Sequence, residues 1–200
     1  MGIERWYVAI VDEGPLLTRA LADPTFGENL SLPWLFEPDR HGRNHRGFYS
    51  EFLAAVDAMN RSHPGIDGRV FTLDRLFDML HFLLSEERRR GEPDAADLGS
   101  KAILGANGLP GHLLGGQGHA IRYSPPAEVG AIAAWLAGQA VEDLRSAYDP
   151  GMMLEQHVYK IWGAGDDPQT WDRIAAGFEG FRSLYTDAAA RGEGVLAIVT

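Results

Sequence analysis

The stretch from Leu73 to Leu84 (LDRLFDMLHFLL) is the feature that most constrains how this chain can fold. Leucine, phenylalanine and methionine side chains recur in it at helical spacing and leave only one narrow polar edge. Thr72, just before the run, is a residue type that commonly caps the N-terminus of a helix. A helix with so much apolar surface has to be covered by other elements. The sequence therefore predicts a central helix over residues 72–88.

The polar edge of this run carries a histidine beside two carboxylates. At offsets of four, seven and eleven residues along one side of the predicted helix lie Asp74, Asp78, His81 and Ser85. An imidazole oriented by Asp78 is the usual first half of a general base. A helix also brings residues three apart together without any functional reason, so His81 could equally belong to a merely polar helix edge. The pattern locates a candidate site without naming a reaction.

Composition and charge exclude several classes of protein. The 200 residues contain no cysteine, which rules out disulfides, thiolate zinc sites and cysteine nucleophiles. A net charge of −10 argues against nucleic acid as a partner, because phosphate repels an acidic surface. No apolar run approaches the roughly 20 residues that span a bilayer, and the N-terminus does not resemble an export signal. We therefore expect a cytoplasmic protein whose partner is a protein or a small molecule, with no role for nucleic acid or a membrane.

Recognisable metal and cofactor motifs are absent from the sequence. It contains no phosphate-binding loop, zinc-protease motif, dinucleotide fingerprint or nucleophile elbow. His41 and His45 have the spacing of two ligands on one helical turn, but Gly42 and the neighbouring arginines disfavour both a helix and a bound cation there. Residues 99–118 hold seven glycines without the Gly-Lys-Ser/Thr of a phosphate cradle, which favours a flexible surface loop. We expect neither a metal nor a cofactor.

Three strands are predicted from β-rich or apolar segments. They are Arg5–Val11, His119–Ser124 and Val195–Val199. The last is wholly apolar, so it should be central in its sheet, where both of its faces are covered. About seven helices are expected, including one near 15–21, one over 48–59 and a long one over 168–191. The class is therefore α+β, a helix-dominated single domain around a small mixed sheet of about three or more short strands.

Three of the helix starts share one pattern. Ser124, Asp149 and Asp167 each precede a proline, so that a capping oxygen stands next to a residue suited to the first helical turn. Gly192 is the expected C-cap of the last helix. Residues 22–47, in contrast, are rich in Pro, Gly, Asn and Arg and are expected to be irregular.

The order of several short segments resembles that of the bacterial YfbM-like family, a family of domains of unknown function. These segments are the Met1–Gly2 start that runs into a strand, the Leu73–Leu84 run, Ala102–Gly105, Arg122–Pro125, Tyr148–Met153, Val158–Tyr159 with Trp162, and the terminal helix and strand. The resemblance covers most of 1–21 and 70–200, and it implies one α+β domain over residues 1–200 in a bacterial cytoplasm. It implies no activity. Residues 22–69 are longer than the family's usual connection, so this irregular segment is a candidate insertion.

Further candidate site residues come from the second half of the chain. Arg122 offers a planar fork for a carboxylate or phosphate, and Tyr123 offers a flat apolar wall. Tyr159 and Trp162 could line the same site. Alternatively, they simply pack in the core with their polar ends at its rim.

The basic cluster of residues 40–46 stands out in this acidic chain, and Arg40 and Arg43 in it could contact an anion or a partner. A solvated loop without a role is the alternative. Two hypotheses of function follow. The first is a non-catalytic binding or protein-interaction module, with a buried or idle His81 and an exposed patch elsewhere. The second is an enzyme, hydrolase or transferase-like, with a cleft lined by His81, Arg122 and Tyr123.

Overall fold

The fold is built around a five-stranded sheet whose strands come from the whole length of the chain. The structure, a computed structural model, describes residues 3–37, 47–64, 68–91, 94–111, 113–115, 118–161 and 169–200. The strands within these ranges are β1 (Arg5–Ile10), β2 (Val70–Asp74), β3 (Asn107–Gly108), β4 (Arg122–Ser124) and β5 (Gly194–Val199). Their order is β2-β1-β5-β4-β3. The helix-dominated α+β class is confirmed.

The sheet is antiparallel throughout the described strands, rather than mixed as the sequence predicted. β5 lies in its middle, between β1 and β4, and all six of its residues are buried. The last helix of the chain returns to the end of the sheet at which β1 finishes. β5 therefore begins opposite Ile10, where Gly194 pairs with it, and has to run antiparallel to β1.

Helices cover both faces of this sheet, and each face has its own apolar core. One layer consists of α1 (Pro15–Ala22), α2 (Pro24–Gly27), two 3-10 turns at Glu28–Ser31 and Pro33–Phe36, and α3 (Ser50–Ser62). The other layer consists of α4 (Phe77–Leu84), α5 (Glu86–Arg90), α6 (Leu98–Leu104), α7 (Pro126–Ala137), α8 (Val141–Ala147), α9 (Pro150–Glu155) and α10 (Gln169–Arg191). None of the helices in the described part of the chain combines the length and the hydrophobicity that a membrane span requires.

The central position predicted for the last strand follows from this double cover. Side chains of β5 alternate between the two layers: Val195 and Ala197 pack with Tyr7 on the α10 side, and Leu196 and Ile198 pack on the α3 side. Because both faces are covered, every residue of the strand can be apolar without exposing hydrophobic surface to water. The prediction for this strand is confirmed.

The Leu73–Leu84 run is not one helix, which corrects the main expectation from the sequence. Val70–Asp74 form the edge strand β2, paired with β1, and α4 begins only at Phe77. Thr72 does not cap a helix, because its hydroxyl oxygen accepts the N–H of Asp74 at 2.9 Å. Asp74 has a φ of +49°, which turns the chain from strand to helix. Val70, Phe71 and Thr72 are β-branched or aromatic, so this part of the chain favours a strand once β1 offers a partner.

The predicted helix starts have different outcomes. Asp149 caps α9 as expected, by accepting the N–H of Met152 at 3.0 Å. Ser124 does not cap α7; it ends β4, and its hydroxyl accepts the N–H of Ala106 at 3.0 Å. The start predicted at Asp167–Pro168 lies outside the described residues. A hydroxyl before a proline is thus insufficient evidence for a cap when a backbone N–H of another segment also needs an acceptor.

Two segments expected to be irregular contain helices. Residues 24–36 form α2 and the two 3-10 turns, and the glycine-rich segment begins within α6. Gly99 is there for close packing, because a Cβ at this position would lie 2.3 Å from the carbonyl oxygen of Leu84. The glycine lets α6 touch the end of α4, and this contact creates the site described below.

Candidate functional site

A cleft opens beside the buried helix α4, between α5, α6 and strand β4. Its volume is about 340 Å³, which lies within the range of small-molecule sites. The residues that line this charged cleft are Glu87, Asp94, Ala95, Asp97, Ser100, Lys101, Leu104, Gly105, Ala106 and Arg122. Only Arg122 among them was a candidate from the sequence.

Asp97 organises the inner wall of the charged cleft. It caps α6 by accepting the N–H of Ser100 on Oδ1 at 2.7 Å. Its Oδ2 accepts the N–H of Glu87 at 3.0 Å and the hydroxyl of Ser85 at 3.1 Å. Burial alone would raise the pKa of Asp97, but these hydrogen bonds outweigh it and hold the pKa below its ordinary value. Asp97 is therefore ionised, and its side chain can only accept hydrogen bonds.

His81 lies directly behind this wall, with 7% of its surface exposed. Its Nε2 is 2.9 Å from the hydroxyl oxygen of Ser100, and that oxygen is 2.9 Å from the hydroxyl of Ser85. Burial lowers the pKa of His81 to about 4; Asp78 opposes this shift, and the positive charge of Arg88 adds to it. The imidazole is neutral at physiological pH.

His81, Ser100, Ser85 and Asp97 thus form a row of hydrogen bonds, which we call the buried polar chain. The chemistry of its members decides which of them donates in each bond. Because the carboxylate of Asp97 only accepts, Ser85 donates its proton to Asp97. Ser85 must then accept from Ser100, whose oxygen accepts in turn from Nε2–H of His81. The proton of Ser100 thus points away from the imidazole. His81 acts in this arrangement as a hydrogen-bond donor, and its Nε2 is not free to act as a base.

Asp78 holds a neighbouring loop and makes no hydrogen bond to His81 within the described residues. Its Oδ1 accepts Nε–H of Arg88 at 3.0 Å, and its Oδ2 accepts the backbone N–H of Tyr159 at 2.8 Å. The phenol oxygen of Tyr159 accepts the N–H of Ile3 at 3.0 Å. The two candidates from the sequence therefore meet each other, in a contact that ties α4 to the segment after α9.

Arg122 and Tyr123 lie on opposite faces of the sheet, because neighbouring residues of a strand alternate. Arg122 reaches the charged cleft, where its Nε donates to the carbonyl of Gly105 at 2.9 Å and a terminal nitrogen donates to the carbonyl of Ala106 at 3.0 Å. Tyr123 packs in the other layer and donates to Oδ1 of Asp12 at 2.5 Å. The structure thus brings Arg122 near the His81 network and separates Tyr123 from it.

Ser100 and Asp97, which carry the site together with His81, were not among the residues predicted from the sequence. Asp97 stands three residues before Ser100, and this spacing is typical of an aspartate that caps a helix. That pattern was hidden because the glycines of 99–118 favoured a loop. Contact between Ser100 and His81 could not be found locally, since nineteen residues separate them.

Three other candidates, Trp162, Arg40 and Arg43, lie outside the residues that the structure describes, as do His41 and His45. Within the described part of the chain, no group of three or more histidine, aspartate or glutamate side chains is placed to hold a metal ion.

These features define a helix-dominated α+β protein in which a buried polar chain closes the inner wall of a charged cleft. A family model described as a domain of unknown function, DUF1877, matches residues 46–198, and the chain belongs to this family. The resemblance to the YfbM-like family is confirmed by the solved structure of YfbM from Escherichia coli, described as a protein of unknown function. That structure is similar with a TM-score of 0.63 over 98% of this chain and 99% of that one, at 16% sequence identity. No curated protein matches.

Proposed function

We propose that this protein is a non-catalytic binding module whose charged cleft holds a small molecule with one positive and one negative group. The proposal keeps the bacterial and cytoplasmic setting expected from the sequence. The observation that carries it is the separation of charge between the two walls of the cleft. Glu87 and Asp94 come from α5 and the segment that follows it, which we call the acidic wall, and Lys101 and Arg122 come from α6 and β4, which we call the basic wall. A ligand with a single charge would be repelled by one wall, whereas a zwitterion complements both.

The basic wall offers a prepared anion ligand. Arg122 is held by two backbone carbonyls, and among the described residues its other terminal nitrogen, Nη1, has no partner. A guanidinium held in this way can present its remaining N–H groups to a carboxylate at little entropic cost. Lys101, in contrast, is paired with Glu128 at 3.2 Å. Arg122 is therefore the better anion ligand.

The acidic wall offers acceptors for an ammonium group. Asp94 uses Oδ1 to accept the N–H of Ala96 at 2.8 Å, and within the described part of the chain its Oδ2 has no partner. The carboxylate of Glu87 has no partner among the described residues, and its backbone N–H is fastened to Asp97. These two carboxylates can face the cleft while Asp97 is occupied within the wall.

The absence of catalysis in this proposal rests on the buried polar chain. A serine nucleophile needs a base that takes its proton. Here the proton of Ser100 is directed to Ser85, and His81 donates to Ser100. The low pKa of His81, about 4, also makes it a weak base near neutrality. The network supports a rigid wall better than it supports a reaction.

NMR titration with three matched probes tests the proposal. The probes are 4-aminobutanoate, butanoate and butylammonium, which share a chain length and differ in charge. We expect 4-aminobutanoate to shift the amide signals of Ser100, Lys101 and Ala106 at lower concentration than either singly charged probe. Arg122→Gln and Glu87→Gln should each weaken its binding by about tenfold or more.

The matched control is Glu142→Gln, on the exposed surface of α8. It removes one carboxylate away from the cleft and should leave the affinity for 4-aminobutanoate unchanged. Equal affinities for the three probes, or an unchanged affinity in both cleft variants, would contradict the proposal.

An enzyme, hydrolase or transferase-like, is the second candidate, and one distance favours it. Nε2 of His81 is 2.9 Å from the hydroxyl of Ser100 at the cleft wall, which is within reach of proton transfer. If this serine is a nucleophile, an alkyl fluorophosphonate should phosphonylate it and displace fluoride. Mass spectrometry would show the adduct on Ser100, and Ser100→Ala should abolish it. A wild-type protein that stays unlabelled would refute the nucleophilic role of Ser100, on which this candidate rests, and leave the binding proposal intact.

A further inference from the structure

A second pocket lies on the other side of the sheet, between α1 and the end of β4. Its volume is about 390 Å³, which is again within the range of small-molecule sites. Aliphatic side chains of Leu17, Leu21 and Leu109 form much of its lining. Leu21 is 37% exposed, so the apolar wall is open to solvent. We call this cavity the α1 pocket.

One end of the α1 pocket is acidic. Asp12 and Glu13, which follow β1, both line it, and no basic residue is among the described residues that do. Asp12 accepts a hydrogen bond from Tyr123 on Oδ1, and within the described residues its Oδ2 has no partner. The cavity therefore combines an apolar wall with two carboxylates that lack a counter-ion in the lining.

Tyr123 holds the carboxylate of Asp12 in place. Its phenol donates to Oδ1 of Asp12 at 2.5 Å. Burial, followed by the hydrogen bond to this carboxylate, raises the pKa of Tyr123 far above its ordinary value, so the phenol stays a donor. The ring lies over Gly194, where a Cβ would come within 2.2 Å of the phenol oxygen. Only glycine at this position of β5 lets the tyrosine reach Asp12.

We propose that the α1 pocket binds a small primary amine with an aliphatic chain. The ammonium group would lie between Asp12 and Glu13 and donate to the free oxygen of Asp12, and the chain would pack on Leu17 and Leu109. An ammonium offers three donors and no acceptor, which suits a pocket end that presents only acceptors. This inference is independent of the charged cleft, because the two cavities lie on opposite faces of the sheet.

Titration with hexylammonium, hexanol and hexanoate tests this proposal. The three probes have the same chain, and only the first carries a positive charge. We expect hexylammonium to shift the methyl signals of Leu21 and Leu109 at concentrations below about 10 mM. Hexanol should bind at least about tenfold more weakly, and hexanoate should cause no shift at these residues.

Asp12→Asn is the decisive variant. Its amide oxygen can still accept from Tyr123, so the shape of the pocket is kept while the charge is removed. We expect the affinity for hexylammonium to fall by about tenfold, and the exposed Glu13→Gln variant should also weaken binding without any risk to folding. Asp143→Asn, on exposed α8, is the matched control and should have no effect. Equal binding of hexylammonium and hexanol, or full affinity in both pocket variants, would overturn the proposal.

Discussion

The buried imidazole of His81 should make the protein lose stability in acid, and a single substitution should remove that loss. In the folded chain the pKa of His81 is about 4, below its ordinary value of 6.5, because burial disfavours the charged ring. As the pH falls below 6.5, the unfolded chain binds a proton that the folded chain does not yet bind. Stability from the neutral His81 is therefore present above pH 6.5 and is lost as the pH falls toward 4.

The size of this loss follows from the gap between the two pKa values. Each pH unit between 6.5 and 4 is worth about 1.4 kcal/mol of unfolding free energy. Over the whole interval His81 should account for a loss of about 3 kcal/mol. Such a loss is a large part of the total stability of about 5–15 kcal/mol that is typical of a domain.

Urea unfolding of the wild type and His81→Gln across this interval measures the effect. A glutamine amide can still donate to Ser100 but does not titrate, so the variant lacks the proton linkage of the imidazole. We expect the unfolding free energy of the wild type to fall by about 2–3 kcal/mol more than that of the variant between pH 7 and pH 4.5. His119→Gln, at an exposed position, is the matched control and should change stability by less than about 0.5 kcal/mol.

Two results would refute this reasoning. One is a pH dependence that is the same, within about 0.5 kcal/mol, in the wild type and in His81→Gln. The other is a ring resonance of His81 that titrates in the folded protein near pH 6.5. Either result would mean that the imidazole is not buried as a neutral donor behind Ser100. The direction of donation that we assign to the hydrogen bonds of the buried polar chain would then be wrong.

Three further predictions concern the fold. Leu80 is 1% exposed in the α10-side core, so Leu80→Ala should lower the unfolding free energy by about 2–5 kcal/mol. A loss under about 1 kcal/mol in denaturant unfolding would contradict the central position of this side chain. Gly99→Ala should lower the unfolding free energy by about 1–3 kcal/mol, because the new Cβ would clash with the carbonyl oxygen of Leu84. Gly130→Ala is the control: this position of α7 faces open space, so the substitution should be neutral or stabilising in the same assay. Deleting residues 195–200 removes the middle strand of the sheet, so the near-UV circular dichroism should become weak while the helical far-UV signal remains. A truncated protein with a native near-UV spectrum would contradict the central position of β5.

Local sequence patterns were sufficient wherever an element's own residues dictate its structure. The stripe of apolar residues predicted the last helix, observed as α10 over Gln169–Arg191, and Gly192 follows it with a φ of +66°. The apolar segment Val195–Val199 predicted a central strand, because such a strand is stable only with both faces covered. In each case the distribution of apolar residues within the segment itself indicates which faces must be buried.

The site could be predicted only in part, because its members are distant in the chain. His81 was found as the odd polar residue of an apolar run, yet its partner Ser100 lies in another helix. Arg122 was found for its chemistry, and its position in the charged cleft depends on the carbonyl of Gly105. No local pattern shows which carbonyl or hydroxyl will stand opposite a given side chain.

The amino-acid sequence by itself therefore determined the α+β class, the last helix and the central strand, since the pattern of apolar residues is a property of a continuous segment. Tertiary structure decided the rest. Residues 72–74, the expected start of the central helix, instead belong to the edge strand β2, because β1 offers them hydrogen-bond partners. The alternation of β4 separated Arg122 from Tyr123 and so divided one expected site between two faces of the sheet. The close approach of α6 to α4 at Gly99 joined His81 to Ser100, because hydrogen bonds depend on which surfaces meet rather than on which residues are neighbours in the chain.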